Sequence, residues 1–266
     1  MTVAKVAAGG DWFRVFARQP SARLRLFCFP HAGGGASAFH ALSALAPDSV
    51  EVVAVQYPGR QDRYGEPMPR AMGQLVADLT DAVAGCLDRP AAFFGHSMGA
   101  TVAFEVARRL RTTHPASLVR LFASARRAPH VDTSRTLDFH DDEAAMAYIR
   151  SLGGVGAQLL DEPELRELAL PVLRADFQLI ADYRFTPGAP LTCPITVIAG
   201  DQDRSFTLQD AREWARHTVA GYDAHALPGG HFYLETEVPG LVLLLMNHLT
   251  RDVPSLETAA VTGSHR

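Results

Sequence analysis

The sequence predicts an α/β fold, a mostly parallel central sheet flanked by helices, with a helical lid inserted in its second half. Three observations predict it. Short apolar runs of strand length alternate with longer segments at helical spacing, the pattern of a parallel sheet covered on both faces. One such run passes through Gly95-x-Ser97-x-Gly99 straight into a helical segment. And about 70 residues separate the run ending near Ala123 from the next at Ile195, too many for a simple crossover.

Taken in order, the apolar runs read as strands over Trp12–Phe16, Leu24–Phe29, Val50–Gln56, Ala91–Phe94, Leu118–Ala123, Ile195–Ala199 and Ala224–Leu227. Helical spacing covers Gln74–Leu87, Met98–Arg111, Leu208–Thr218 and Val238–Leu249. Within the insertion, D-D-E-A-A-M-A-Y-I-R-S-L and P-V-L-R-A-D-F-Q-L-I-A-D-Y have helical periodicity, with Pro171 placed at a first helical turn. One domain over residues 1–250 is expected, its lid spanning approximately 130–188. Residues 251–266, polar and without apolar periodicity, are expected to be a disordered tail.

At 266 residues and 47% apolar, the chain can bury one sizeable core, and its net charge of −4 offers no broad cationic surface for a phosphate backbone or an anionic membrane. Nucleic-acid and membrane partners are therefore not expected. Of the 25 basic residues only Lys5 is lysine, so no G-K-[ST] phosphate loop can be written. Cys28, Cys86 and Cys193 are widely spaced and form no C-x-x-C pair, which points to buried thiols rather than disulfides or a metal knuckle. The start of the chain lacks the apolar stretch of a signal peptide, and Leu241–Met246 is far shorter than a membrane span, so a cytoplasmic protein is expected.

The strand, turn and helix around Ser97 have the form of a nucleophile elbow, in which the turn is so tight that only glycine fits two residues before and after the serine. This is the mark of an α/β-hydrolase fold. A serine hydroxyl needs an imidazole to take its proton, itself oriented by a carboxylate. His231 follows the last strand in L-P-G-G-H-F, and fits the chain order serine, acid, histidine best of the eleven histidines. The acid is sought after I-T-V-I-A, where G-D-Q-D-R offers Asp201 and Asp203. Asp203 lies further out along the turn and is freer to reach across, whereas Asp201 at the strand end is placed to brace the loop. For the oxyanion, the Met98 N–H is one donor, and the open loop P-H-A-G-G-G supplies the second, assigned to Ala32.

Two other chemistries are weighed and set aside. G-G-G-A-S-A fits a dinucleotide-binding turn, but the following strand ends at Gln56 and Tyr57 where an acidic ribose ligand belongs. His140, Asp141, Asp142 and Glu143 open a lid helix, where acids complement the helix dipole, and are not expected to bind metal. In the second lid segment Leu173, Phe177 and Ile180 form one stripe. It is expected to look down on an acyl channel as a substrate-binding face, core packing being the alternative, and Phe177 to limit chain length.

With these residues placed, the chain from Trp12 to Leu249 resembles the type II thioesterases of polyketide synthase and nonribosomal peptide synthetase pathways. The resemblance rests on L-F-C-F-P-H-A-G-G-G-A-S, V-Q-Y-P-G-R-Q-D-R, F-F-G-H-S-M-G-A, L-R-A-D-F-Q-L-I-A-D-Y and P-G-G-H-F-Y-L, the second being the most specific. It implies a triad of Ser97, Asp203 and His231 with Ala32 and Met98 as oxyanion donors, and favours Asp203 over Asp201. Arg204 departs from the family, many members of which have proline after the acid. The resemblance further implies a stand-alone editing enzyme that removes stalled or aberrant acyl groups from the phosphopantetheine arm of carrier proteins, without metal or cofactor. Acyl-loaded carrier domains are the expected partners, with Arg60, Arg63, Arg126 and Arg127 as candidates to meet an acidic carrier surface and solvated or internal loop-anchoring arginines as the alternative, and the enzyme is expected to be a monomer. The competing functions are an oxoester hydrolase or lipase with the same triad, and a catalytically silent fold used for binding.

Overall fold

The structure, a computed structural model, describes residues 10–131, 141–154, 156–157 and 160–259. In chain order its elements are β1 (Phe13–Arg14), β2 (Leu24–Phe29), α1 (His40–Leu45), β3 (Val50–Val55), α2 (Met72–Ala84), β4 (Ala91–His96), α3 (Met98–Thr113) and β5 (Leu118–Ser124). The insertion supplies α4 (Asp142–Leu152) and α5 (Pro163–Asp182). There follow β6 (Ile195–Gly200), α6 (Leu208–Ala211), β7 (Tyr222–Leu227), α7 (Tyr233–Thr236) and α8 (Val238–Asp252).

The strands form a seven-stranded sheet in the order β1-β3-β2-β4-β5-β6-β7, parallel except for β1, which runs against β3. β4 and β6 are buried at every position, which is why their sequences read as unbroken apolar runs rather than as alternation. One face is covered by α2 and α3 over a core that includes Phe27, Phe29 and Phe93, with α5 packed against α2, and the other by α1 and α8 over Leu26, Phe94 and Phe122. The chain leaves β3 and crosses over β2 to reach β4, so strand order reverses between β2 and β4. Ligands in open α/β sheets bind beyond the carboxyl ends of the strands at such a reversal. There Phe29 lies in register with Gly95, and the loops after β2 and β4 emerge side by side.

Several elements differ from the sequence expectation. β1 is only Phe13–Arg14, because it pairs with just two residues of β3, Val55 and Ala54. The segment from Leu208 is α-helical only to Ala211, with a Thr207–Asp210 capping box, and tightens into a 3-10 helix over Arg212–His217. Pro171 does not start a helix. α5 starts at Pro163, and Pro171 lies inside it, lacking the N–H that would bond one turn back. Burial of Val172, Leu173, Phe177, Leu179 and Ile180 on the same helix offsets that loss.

The tail expected from Arg251 is also corrected in its first part. α8 continues to Asp252, a 3-10 helix spans Pro254–Ala259, and Leu256 is buried against the core face covered by α8. Arg120 reaches across to hold Asp252 with bonds of 2.6 and 2.9 Å, which ties the end of α8 to β5. Residues 260–266 lie outside the described residues. Leu256→Ala should therefore cost about 2 kcal/mol, as for other buried leucines. Chemical denaturation would read this as a lowered midpoint at unchanged slope, whereas a true disordered tail would give no change.

Candidate active site

Ser97 stands between β4 and α3 with φ +52° and ψ −118°, a backbone conformation that a residue with a side chain adopts only at a cost of about 1–3 kcal/mol. Glycines make room for it. A Cβ on Gly95 would fall 2.3 Å from the Gly99 carbonyl oxygen, and one on Gly99 would fall 2.0 Å from that of Phe29. Because Met98 is the first residue of α3, its N–H has no intrahelical acceptor and points out of the helix N-terminus.

His231 and Asp203 come from the loops after β7 and β6. A Cβ on Gly200 would meet the Gly230 carbonyl oxygen at 2.1 Å, so glycine there lets the two loops touch backbone to backbone. His231 Nδ1 donates to Asp203 Oδ2 at 2.8 Å, and both side chains are buried. The other carboxylate oxygen, Oδ1, accepts from Ser205 N at 2.8 Å and Ser205 Oγ at 2.7 Å. Burial acts to raise the Asp203 pKa, but the His231 and Ser205 bonds outweigh it and hold the carboxyl below its ordinary value. Asp201 instead accepts from Gly229 N at 2.9 Å and braces the loop that carries His231.

His231 Nε2 is buried and has no hydrogen-bond partner among the described residues. Ser97, Asp203 and His231 line one cavity of about 560 Å³, together with Ala125, Arg126, Arg127, Tyr148 and Gln202 among others. Two further histidines stand beside it. The rings of His96 and His231 are 5.2 Å apart, and those of His96 and His31 are 5.8 Å apart. Desolvation, reinforced by His231 and by a neighbouring cation or histidine, lowers His31 to about 4 and His96 well below its ordinary value. Both are neutral near pH 7, so neither opposes a proton arriving on His231. His96 Nδ1 is held by a chain through Ser124 Oγ (2.8 Å) to the Tyr233 hydroxyl (2.6 Å).

A strained serine, a buried histidine bonded to a carboxylate and a shared cavity are the parts of a hydrolase site. A thioesterase-domain family model matches residues 24–246. The chain belongs to the thioesterase family. Among its relatives, thioesterase PikA5 of Streptomyces venezuelae is 41% identical over 248 residues, covering 92% of this chain and 88% of that protein. Gramicidin S biosynthesis protein GrsT of Aneurinibacillus migulanus is 37% identical over 225 residues, 84% of this chain and 88% of that one. The structure of the type II thioesterase BorB from the borrelidin biosynthetic cluster superposes with a TM-score of 0.81 at 40% identity, covering 90% of this chain and 97% of that one. By this grouping the protein is a type II thioesterase of the polyketide and nonribosomal peptide class, a hydrolase acting on thioesters.

The thioesterase does not use every residue singled out from sequence as expected. Leu173, Phe177 and Ile180 do not line the cavity around Ser97. All three are buried in the core, because α5 packs its apolar stripe among α2, α4 and the glycine loop, and α4 covers the cavity instead through Tyr148, Ser151 and Leu152. Phe177 stands behind that wall, its ring 6.0 Å from that of Tyr148.

The four arginines divide. Arg126 and Arg127 line the cavity, but Arg60 and Arg63 are 5% and 8% exposed and cannot meet a partner surface. Arg63 donates to the Gln56 carbonyl oxygen and to Glu66, with its guanidinium 4.5 Å over the Trp12 ring. Arg60 forms a bidentate pair with Asp176.

At the lid, Asp141 caps α4 by accepting from Ala144 N, as its place at a helix start suggested, while His140 lies outside the described residues. Among the described residues, Asp223, His225 and His248 are the group whose spacing could hold a metal ion. They sit beside the Arg120 guanidinium, which lies 4.0 Å from Asp223 Oδ2 and already supplies positive charge. No helix of the described residues is long and apolar enough to cross a membrane.

Ser205 was not foreseen, although an acid followed two residues later by serine is a common pattern of side-chain to backbone bonding in turns. Its removal should be legible in acid. Ser205→Ala removes the Oγ bond to Asp203 and leaves the backbone N–H bond in place, and so raises its folded-state pKa. A depressed carboxyl contributes stability above its unfolded pKa that is lost as pH falls through the folded value, so the variant should be less stable at about pH 6, and its smaller acid loss should be complete at a higher pH. Melting temperatures recorded from pH 3 to 6 check this, and catalytic efficiency should fall about tenfold, roughly the value of one hydrogen bond to a charged group.

Proposed function

We propose that this thioesterase hydrolyses acyl groups from the phosphopantetheine arms of carrier proteins and thereby clears stalled or aberrant chains from a polyketide or nonribosomal peptide assembly line. Ser97 is the nucleophile, His231 the base and Asp203 the orienting acid. The observation that carries this reading is the 2.8 Å His231–Asp203 bond, which leaves His231 Nε2 unpartnered in the cavity that Ser97 lines.

In the first half-reaction Ser97 Oγ attacks the thioester carbonyl while His231 Nε2 takes its proton. The tetrahedral oxyanion is received by the N–H groups of Met98 and Ala32, each such donor being worth about 3 kcal/mol in the transition state. Collapse breaks the C–S bond, and His231 returns the proton to the departing pantetheine thiolate. Water, deprotonated by His231, then attacks the Ser97 ester, and as the acyl–Oγ bond breaks His231 returns the proton to Ser97 Oγ and the free acid leaves. Asp203 holds the imidazole in the tautomer with its proton on Nδ1 and stabilises the imidazolium. The scheme uses no metal or cofactor.

A carrier-borne substrate is supported by the arginines of the cavity, Arg126, Arg127 and Arg204, which place positive charge where the phosphate of the arm would pass. Ser97→Ala should remove hydrolysis and labelling by a serine-directed fluorophosphonate, with the melting temperature unchanged. Asp203→Asn should lower kcat by about 10²–10⁴, and Asp201→Asn by less than about tenfold. Steady-state kinetics on carrier-bound acyl groups, free pantetheine thioesters and matching oxoesters complete the test. Efficiency should fall in that order, and a higher rate on oxoesters would make the protein an esterase instead.

A further inference from the structure

The loop that carries Ala32 contains three consecutive glycines, Gly33, Gly34 and Gly35, and such a run has the most backbone freedom to lose. Oxyanion stabilisation depends on donors held in place before the reaction. The loop's own bonding is slight: Gly34 N donates to the His31 carbonyl oxygen at 3.0 Å, which orients the peptide group that bears the Ala32 N–H. The rest of its restraint comes from outside. Gly33 N donates to Asp176 Oδ2 at 2.7 Å. Arg60 Nη1 donates to the Gly34 carbonyl oxygen at 3.2 Å, and Ala36 N donates to Gln56 Oε1 at 2.7 Å.

Asp176 lies on α5, in the insertion, and it falls on the same buried stripe as Leu173, Phe177 and Ile180. A carboxylate on a buried apolar face is costly unless it is paired and hydrogen-bonded. Here it is both. Arg60 Nη1 and Nη2 donate to its two oxygens at 2.5 and 2.8 Å, with side-chain exposures of 5% and 2% for Arg60 and Asp176. Leu173, nearly one turn before it, covers Gly33 so closely that a Cβ there would fall 2.5 Å from Leu173 Cδ2. Gly33 also has φ +78°, a conformation suited to glycine. At Asp176, therefore, the insertion, the Q-Y-P-G-R segment and the glycine loop meet.

We propose that Asp176 is a positioning residue that preorganises the Ala32 oxyanion donor by accepting the Gly33 N–H, with Arg60 holding its carboxylate in place. This rests on the assignment of Ala32 as a donor. It makes α5 part of the catalytic frame rather than a movable cover, since swinging α5 away would release the glycine loop. Substrate then reaches Ser97 past α4, whose Tyr148, Ser151 and Leu152 line the cavity.

The test separates the acceptor from the ion pair. Arg60→Met with Asp176→Asn removes both charges but keeps an amide oxygen for Gly33 N–H, whereas Arg60→Met with Asp176→Leu removes the acceptor as well. The first double variant, which loses the Arg60 bonds but keeps the acceptor, should retain at least about fivefold more kcat than the second. The second should lose about 30-fold in kcat with KM within threefold, somewhat less than deleting a donor outright. The affinity of a trifluoromethyl ketone analogue, which forms a tetrahedral adduct on the serine, should fall by the same factor as kcat/KM, a change that a purely structural role would not produce. Equal kcat in the two variants at equal melting temperature would overturn the proposal. Amide hydrogen exchange of Gly33 in the wild-type protein provides a measurement independent of whether the variants fold. The proposal requires exchange at least about 100-fold slower than in an open chain, and exchange at the open-chain rate would overturn it. Failure of fluorophosphonate to label Ser97 in the wild type would instead overturn the serine mechanism itself.

Discussion

Two contacts between backbones, each open only to glycine, govern the geometry of the site. Gly99 lets the first turn of α3 press against the end of β2, where a Cβ would fall 2.0 Å from the Phe29 carbonyl oxygen and 2.7 Å from that of Pro30. The same contact that permits the strained turn at Ser97 thus also brings in the loop bearing Ala32. Gly200 does the corresponding work across the sheet, pressing the end of β6 against Gly229 and Gly230 so that His231 and Asp203 meet. The places of Ser97, the Ala32 loop, His231 and Asp203 are set by backbone packing, which side-chain rotation cannot relax. The cost of the Ser97 conformation is borne by the packed strands and by α3, nearly all of whose first nine residues are buried.

Electrostatics follow from that packing. The crowding that brings His31, His96 and His231 together also removes water from them, and the first two remain neutral. Asp203, anchored by Ser205 and His231, keeps its charge despite burial. Packed around the His231 imidazole are thus one charged carboxylate and two neutral histidines. The arginines of the cavity, Arg126 and Arg127, are themselves engaged: Arg126 Nε lies 3.2 Å from Thr101 Oγ1, and Arg127 Nε lies 3.2 Å from Asp210.

Much of the fold was legible because its signals are local. A buried parallel strand announces itself as an apolar run, and an elbow as glycines flanking a serine; β2, β3, β4, β5 and β6 and the helix after Ser97 appear within a residue or two of their expected places. What stayed hidden depends on partners distant in sequence. Asp176 and Arg60 are 116 residues apart, and neither shows by itself that it is buried against the other. For the same reason the arginines of Q-Y-P-G-R-Q-D-R read equally as carrier contacts and as internal loop anchors. The apolar stripe of α5 was visible as a stripe, but which wall it faces is a tertiary fact, and the carboxylate on that stripe was the available signal that a buried partner existed. Pro171 misled because proline favours a first turn in general, whereas Pro163 occupies that place here. The polar tail composition likewise gave no sign that Leu256 would reach the core.

The central claim is that the acyl group passes through an ester on Ser97, and trapping that ester tests it most directly. Wild-type protein would be mixed with an acyl-loaded carrier, quenched in acid within the first turnover, digested and analysed by mass spectrometry. The acyl mass should appear on the peptide containing Ser97, at a level that rises and decays with turnover. An acyl group on a different residue, or full turnover with no covalent adduct and with Ser97→Ala as active as wild type, would contradict the account.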